Sequence, residues 1–268
     1  RAAEPASSDA ARAAYAAAAA LQNREAWDLA AEEWQALLAA HPDDLLALKG
    51  RYYLAICQMK NGRWPEAEQT LGSVIASRAD AATIALARWE LARGTFAAAQ
   101  SKPSPEAYAA AAARLTTFLD AAADQAQAAD AIHLLGESLW QAGKRDDALA
   151  TWSRFLKEHA TSPRLPEVLY ALGVGRAETG SRDEAAALLA RFAQEFPQHP
   201  LAADVALWRA DLLVAAGRPA DAEKILEPVA AAQGPKAADA LDRIGQARWN
   251  RKDWAGAADA FGRLVKDH

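Results

Sequence analysis

Apolar and polar positions along the chain follow the three-and-four spacing of amphipathic helices, and between Ala129 and Pro200 the pattern runs twice. Leu135, Gly136, Gly143, Ala148, Trp152 and Phe155 return 37 residues later as Leu172, Gly173, Gly180, Ala185, Leu189 and Phe192. The spacing predicts two helices per copy, joined at the internal glycine. Self-similarity at this period predicts an α-solenoid, because a single helix pair cannot bury its apolar face and must stack on a neighbour. Such an architecture implies a binding role.

Carried outward, the register places a small residue near the start of each second helix: Ala30, Ala67, Ala111, Ala148, Ala185, Ala222 and Ala257. A methyl side chain there lets two helices cross at short distance. Four residues on come Trp34, Leu71, Leu115, Trp152, Leu189, Leu226 and Phe261, and three further come Leu37, Val74, Phe118, Phe155, Phe192, Val229 and Leu264. These spacings put both rows on one helical face. Only the interval from Ala67 to Ala111 is long, at 44 residues, and it contains Ser101-Lys-Pro-Ser-Pro105, which reads as a bent junction rather than a contact loop.

Leu135-Gly136, Gly143, Ala148 and Trp152, with Gly62, Trp64 and Ala67 and the exit prolines Pro42 and Pro197, resemble the tetratricopeptide repeat. The resemblance covers about residues 11–268 and implies an all-α, right-handed solenoid of about seven helix pairs, preceded by a flexible tail over 1–10. The repeat is 37 residues here, against about 34 in the family pattern. Phe196-Pro-Gln-His-Pro200 looks like the longer repeats of bacterial cell-envelope proteins, which implies a periplasmic or envelope location, with the cytoplasm as alternative.

Composition narrows the function. Acidic residues outnumber basic ones 35 to 30, a balance that argues against nucleic acid as partner. No apolar run approaches the ~20 residues of a membrane span. The single cysteine, Cys57, excludes an internal disulfide and reads as a buried thiol. Acids at the starts of second helices (Glu66, Asp146-Asp147, Asp183-Glu184, Asp221) compensate the helix dipole, and His41, His159 and His268 suit the opposite, carbonyl ends. One or more repeats apart, these histidines do not converge on a metal. Phosphate-loop, HExxH, GxSxG and cysteine-pair motifs are missing from the sequence, so neither an enzyme nor a cofactor is expected.

In the family, first helices line the concave face. Carried over by position, the fifth residues of the first helices are Tyr15, Tyr52, Trp89, His133, Tyr170, Leu207 and Asp242, and seven residues on lie Gln22, Met59, Phe96, Trp140, Ala177, Val214 and Trp249. Aromatic side chains in a groove offer large contact area with few rotors to freeze. They serve equally well for packing against the next repeat, and both readings stand at this point. Arg12, Lys49, Lys60 and Arg93 make the early repeats of this surface basic. Asp130, Glu137, Glu167, Glu178, Asp204, Asp211, Asp239 and Asp242 make the later ones acidic, a polarity that would orient a partner.

The expected function is a non-catalytic protein-interaction scaffold holding a peptide segment or neighbouring subunit on the concave face. The alternative is a spacer arm of a larger enzyme or assembly with nothing in the groove. The last repeat stops at Leu264–His268, where its exit turn should begin, and no polar capping helix follows, which predicts that the protein continues past His268 or that a partner, including a second copy, covers that end.

Overall fold

The computed structural model describes residues 7–121, 126–232 and 234–267. Among the described residues lie fourteen α-helices and no strand, the all-α helix-pair solenoid that the periodicity predicts. The chain divides into two compact units, the first ending at Lys144 and the second starting at Arg145. The first holds α1 (Asp9–Asn23), α2 (Trp27–Ala40), α3 (Leu45–Lys60), α4 (Trp64–Ile75), α5 (Ala81–Ser101), α6 (Pro105–Ala121) and α7 (Ala128–Gln141). The second holds α8 (Arg145–Glu158), α9 (Leu165–Glu178), α10 (Arg182–Glu195), α11 (Ala202–Ala215), α12 (Pro219–Ala231), α13 (Ala237–Asn250) and α14 (Trp254–Asp267).

Residues 1–6 of the predicted tail lie outside the described residues. Helix α1 begins at Asp9 because Ser8 caps it, its hydroxyl accepting from the Ala11 amide at 3.1 Å. The anchor alanine is the fourth residue of α2, α4, α8, α10, α12 and α14 but the seventh of α6. Helix α5 runs to 21 residues and α6 to 17, so the long interval is absorbed as roughly one extra turn in each helix of the third pair. Phe96 and Tyr108 pack on each other in that added turn, 6.2 Å apart. Ser101–Pro105 is a junction: Ser104 accepts from the Ala107 amide, and Pro105 opens α6 where no amide is needed.

The anchor alanines are all buried, as are Trp34, Leu71, Leu115, Trp152, Leu189 and Leu226 of the next row. Phe261 and Leu264 of the last pair are only partly covered. Close approach is visible where a glycine meets a large side chain: a methyl on Gly94 of α5 would fall 2.1 Å from the Trp64 ring of α4. In the second unit a methyl on Gly173 of α9 would fall 2.8 Å from Leu189 of α10.

The turn within a pair is equally regular. Gly62, Gly143, Gly180 and Gly217 have positive φ, and Glu25 and Lys252 adopt the same left-handed conformation at the register-equivalent positions of the first and last pairs. The acids expected in first turns lie there. His41 caps the C-terminus of α2, and His159 follows α8 with its ring 5.5 Å from Phe155. His268 lies outside the described residues. Cys57 is buried, and burial pushes its thiol up to about 11.

Candidate functional site

In the first unit the sequence-predicted ladder separates into core and surface. Trp89 is 8% exposed and lies 5.4 Å from the fully buried Phe118; Phe96 is 5% exposed against Tyr108. Both are packing residues, a correction to their placement in a groove: the crossing of α5 and the lengthened α6 covers this face of α5. Met59 is half-buried against Ala55, Leu71 and Val74.

Tyr15 and Tyr52 remain half-exposed on α1 and α3. Tyr15 meets Trp34 edge-on at 4.9 Å and Tyr53 at 6.1 Å, Trp34 stacks on Tyr53 at 5.3 Å, and Tyr52 meets Tyr53 at 5.3 Å. The result is a continuous aromatic cluster spanning α1, α2 and α3. Burial, with the neighbouring Tyr53, pushes Tyr15 up to about 12; burial and the Glu90 carboxylate do the same for Tyr52. Their hydroxyls therefore stay protonated donors throughout the neutral range. On α7, His133 stands 4.0 Å from Glu137, whose carboxyl is raised by burial, and Trp140 is half-buried on the same helix.

The expected charge polarity is offset locally. Arg12 pairs with Asp9 and Arg93 with Glu90 on their own helices. Lys60 lies over the Trp27 ring, 5.5 Å from its centroid, at the helix-turn end. Lys49 is exposed and near enough to Asp80 to help hold that carboxyl below its usual range, behind the larger effect of the Thr83 amide and hydroxyl. In the second unit Asp204 pairs with Lys236 at 2.8 Å, Asp211 with Arg243 at 2.9 Å, Glu178 with Arg145 at 3.4 Å and Glu167 with Arg164 at 3.5 Å. Basic partners of these later acids stand outside the positions that the family pattern assigns to the groove, so reading those positions alone overstated the field.

Tyr170 on α9 is half-buried beside Trp208 of α11, which hydrogen-bonds to it, and beside the Asp204–Lys236 pair; burial and Asp204 raise its phenol. Leu207, the predicted ladder residue of α11, is buried instead, and its neighbour Trp208 takes the surface position. Trp249 is 57% exposed and packs edge-on against Trp254 at 4.8 Å, itself 54% exposed. Tyr53, Trp208 and Trp254 are the aromatic residues that a strict position count missed. Each is one residue beside a ladder position or on the following helix, which a one-letter-per-turn template does not capture.

Among the described residues no group of three or more His, Cys, Asp or Glu side chains is placed to hold a metal ion. No helix among them is long and apolar enough to cross a membrane.

Family models described as tetratricopeptide repeat match residues 50–81, 133–200 and 207–267, together more than half of the chain. A comparison with curated protein sequences gives no match. Among solved structures, the C-terminal part of a TPR repeat-containing protein from Cytophaga hutchinsonii superposes with a TM-score of 0.72 at 17% identity, covering 94% of each chain. A tetratricopeptide repeat protein from Parabacteroides merdae gives 0.61 at 16% identity, over 97% of this chain and 93% of that one. A signal-transduction ATPase from Pyrococcus horikoshii with a tetratricopeptide repeat sensor gives 0.69 at 13% identity, over 96% of this chain and 42% of that one. At these identities the structural likeness speaks to the fold alone.

Proposed function

Since this chain belongs to the tetratricopeptide repeat family, we propose that it is a non-catalytic interaction scaffold that holds a protein partner, as a peptide segment or a neighbouring subunit, on its first-helix surface. The observation that carries this reading is the half-exposed aromatic clustering on first helices: Tyr15, Tyr52 and Tyr53 in one unit, Tyr170 and Trp208 in the other. Tyr15, Tyr52 and Tyr53 are fixed by one another and by Trp34, and Tyr170 by Trp208, so little rotamer entropy is lost on contact. The ion pairs around them, Arg93–Glu90 and Asp204–Lys236, supply a polar rim that fixes register more than it adds affinity. Burial of Trp89 and Phe96 favours the second reading, a spacer arm, for the middle of the first unit only.

Photocrosslinking tests the assignment. A benzophenone side chain placed at Tyr52 or at Tyr170 gives adducts with a protein partner from the producing organism. The same group at Leu29, exposed on the second helix α2, gives none. Adducts from position 29 alone would move the contact surface to the second helices.

A further inference from the structure

Asp204, Trp208 and Asp211 of helix α11 belong to the first-helix surface described above, whereas Arg209, Leu212, Leu213, Ala215 and Ala216 of the same helix line a cavity of about 650 Å³ between α10 and α12. Helix α10 contributes Ala186 and Ala190 to it, and α12 contributes Lys224 and Ile225. The volume falls within the roughly 300–1,000 Å³ range of ligand sites. Small side chains on α10 leave the space open. Four cations line it, Arg182, Arg209, Arg218 and Lys224, against two carboxylates, Asp183 and Asp221. Asp221 is already held by Arg218 at 2.8 Å and Lys224 at 3.1 Å. Arg209 is half-buried and, among the described residues, meets no carboxylate; burial lowers its guanidinium from the usual value.

The next groove along the second unit shows what chemistry closes such a space. Between α12 and α14, Arg248 of α13 is enclosed by Glu223 and by Glu227 at 3.0 Å, with Asp259 at 3.7 Å. Arg251 reaches Glu223 at 2.5 Å and Arg263 reaches Glu227 at 3.6 Å. Glu223 and Glu227 stand one and five residues after the anchor Ala222. One and five residues after the anchor Ala185 stand Ala186 and Ala190. The first groove thus keeps a cation from its first helix, Arg209, one turn before the position equivalent to Arg248, and lacks the two carboxylates that would meet it.

We propose that this cavity binds an acidic peptide segment of a partner protein, whose carboxylates take the place that Glu223 and Glu227 fill in the neighbouring groove. Arg209 and Arg182 receive the carboxylates, and Leu212, Leu213 and Ile225 receive aliphatic side chains beside them. The site is separate from the first-helix aromatic surface and stands or falls without it.

The test uses fluorescein-labelled, acetylated heptapeptides of leucine and alanine carrying two glutamates at all separations from adjacent to four residues apart, with a glutamine set as control. Binding is read by anisotropy. At least one glutamate peptide binds the parent, and its glutamine counterpart and the Arg209→Gln variant each bind at least about tenfold more weakly, the loss of a charge-assisted pair. Ala186→Glu/Ala190→Glu supplies the carboxylates internally and abolishes binding by about tenfold or more while the thermal midpoint holds or rises. The proposal is overturned by equal binding of both peptide sets, by no binding at about 1 mM peptide, or by parent-like binding to the double-glutamate variant. Competition by free glutarate at the same concentration as the peptide would assign the cavity to small dicarboxylates and overturn the peptide assignment.

Discussion

Residue by residue, the repeat turn demands one backbone conformation and accepts two solutions. Where Gly62, Gly180 and Gly217 adopt positive φ at no steric cost, Glu25 (φ 58) and Lys252 (φ 65) adopt it against the clash of their Cβ with the following carbonyl. Glycine at either site is expected to raise stability by about 0.5–1 kcal/mol, the relief of strain less the added freedom of the unfolded chain. Chemical denaturation of Glu25→Gly and Lys252→Gly checks this, and a lowered midpoint would show that the side chains contribute more than their strain costs. A second residue-level outcome concerns Tyr15 and Tyr52, both raised to about 12 from an ordinary value near 10. A raised phenol binds its proton more tightly in the folded state, so the stabilisation is complete below the unfolded value and is lost as pH rises from about 10 through 12. An ultraviolet titration of tyrosinate should show Tyr15, Tyr52 and Tyr170 titrating late in the folded protein and reverting to ordinary values in denaturant. Ordinary titration of all tyrosines in the folded state would count against the packed cluster.

Helices and their pairing were largely legible in the sequence, for a reason that particular residues show. Anchor alanines, the apolar rows four and seven residues beyond them and the turn glycines recur because each performs the same packing task in each pair, so the register alone located them. The third pair departed from the count because its extra residues lengthened α5 and α6 by a turn, and periodicity cannot say on which side of a boundary extra residues are placed. In the same pair Phe96 packs on Tyr108 near the start of α6, and the buried Trp89 is covered by Phe118 of the regular core row. Trp89→Ala is therefore expected to cost about 3–5 kcal/mol, a core truncation, whereas Tyr52→Ala, half-exposed, costs about 1 kcal/mol. Denaturation midpoints of the two variants decide this, and equal losses would place both rings in the same environment.

Across the molecule, contacts between neighbouring repeats were the part that the sequence concealed. Asp211–Arg243 and Asp204–Lys236 join residues of adjacent repeats, and a template that examines one position per helix sees the acid and misses the base. Ala186 and Ala190 were likewise unremarkable letters until the equivalent Glu223 and Glu227 were seen closing the next groove around Arg248. Family membership gives the fold and the general role of a protein-interaction scaffold. The particular surface follows from which aromatic rings stay exposed once the pairs have packed, and that is a property of side-chain surroundings rather than of the repeat pattern.

The measurement that bears most directly on the scaffold reading is affinity capture from the producing organism with the parent chain and with Tyr52→Ala/Tyr170→Ala, after circular dichroism has shown equal helicity. A protein retained by the parent and lost from the double variant is the expected result. Recovery of the same proteins by both would contradict it and assign Tyr52 and Tyr170 to packing alone.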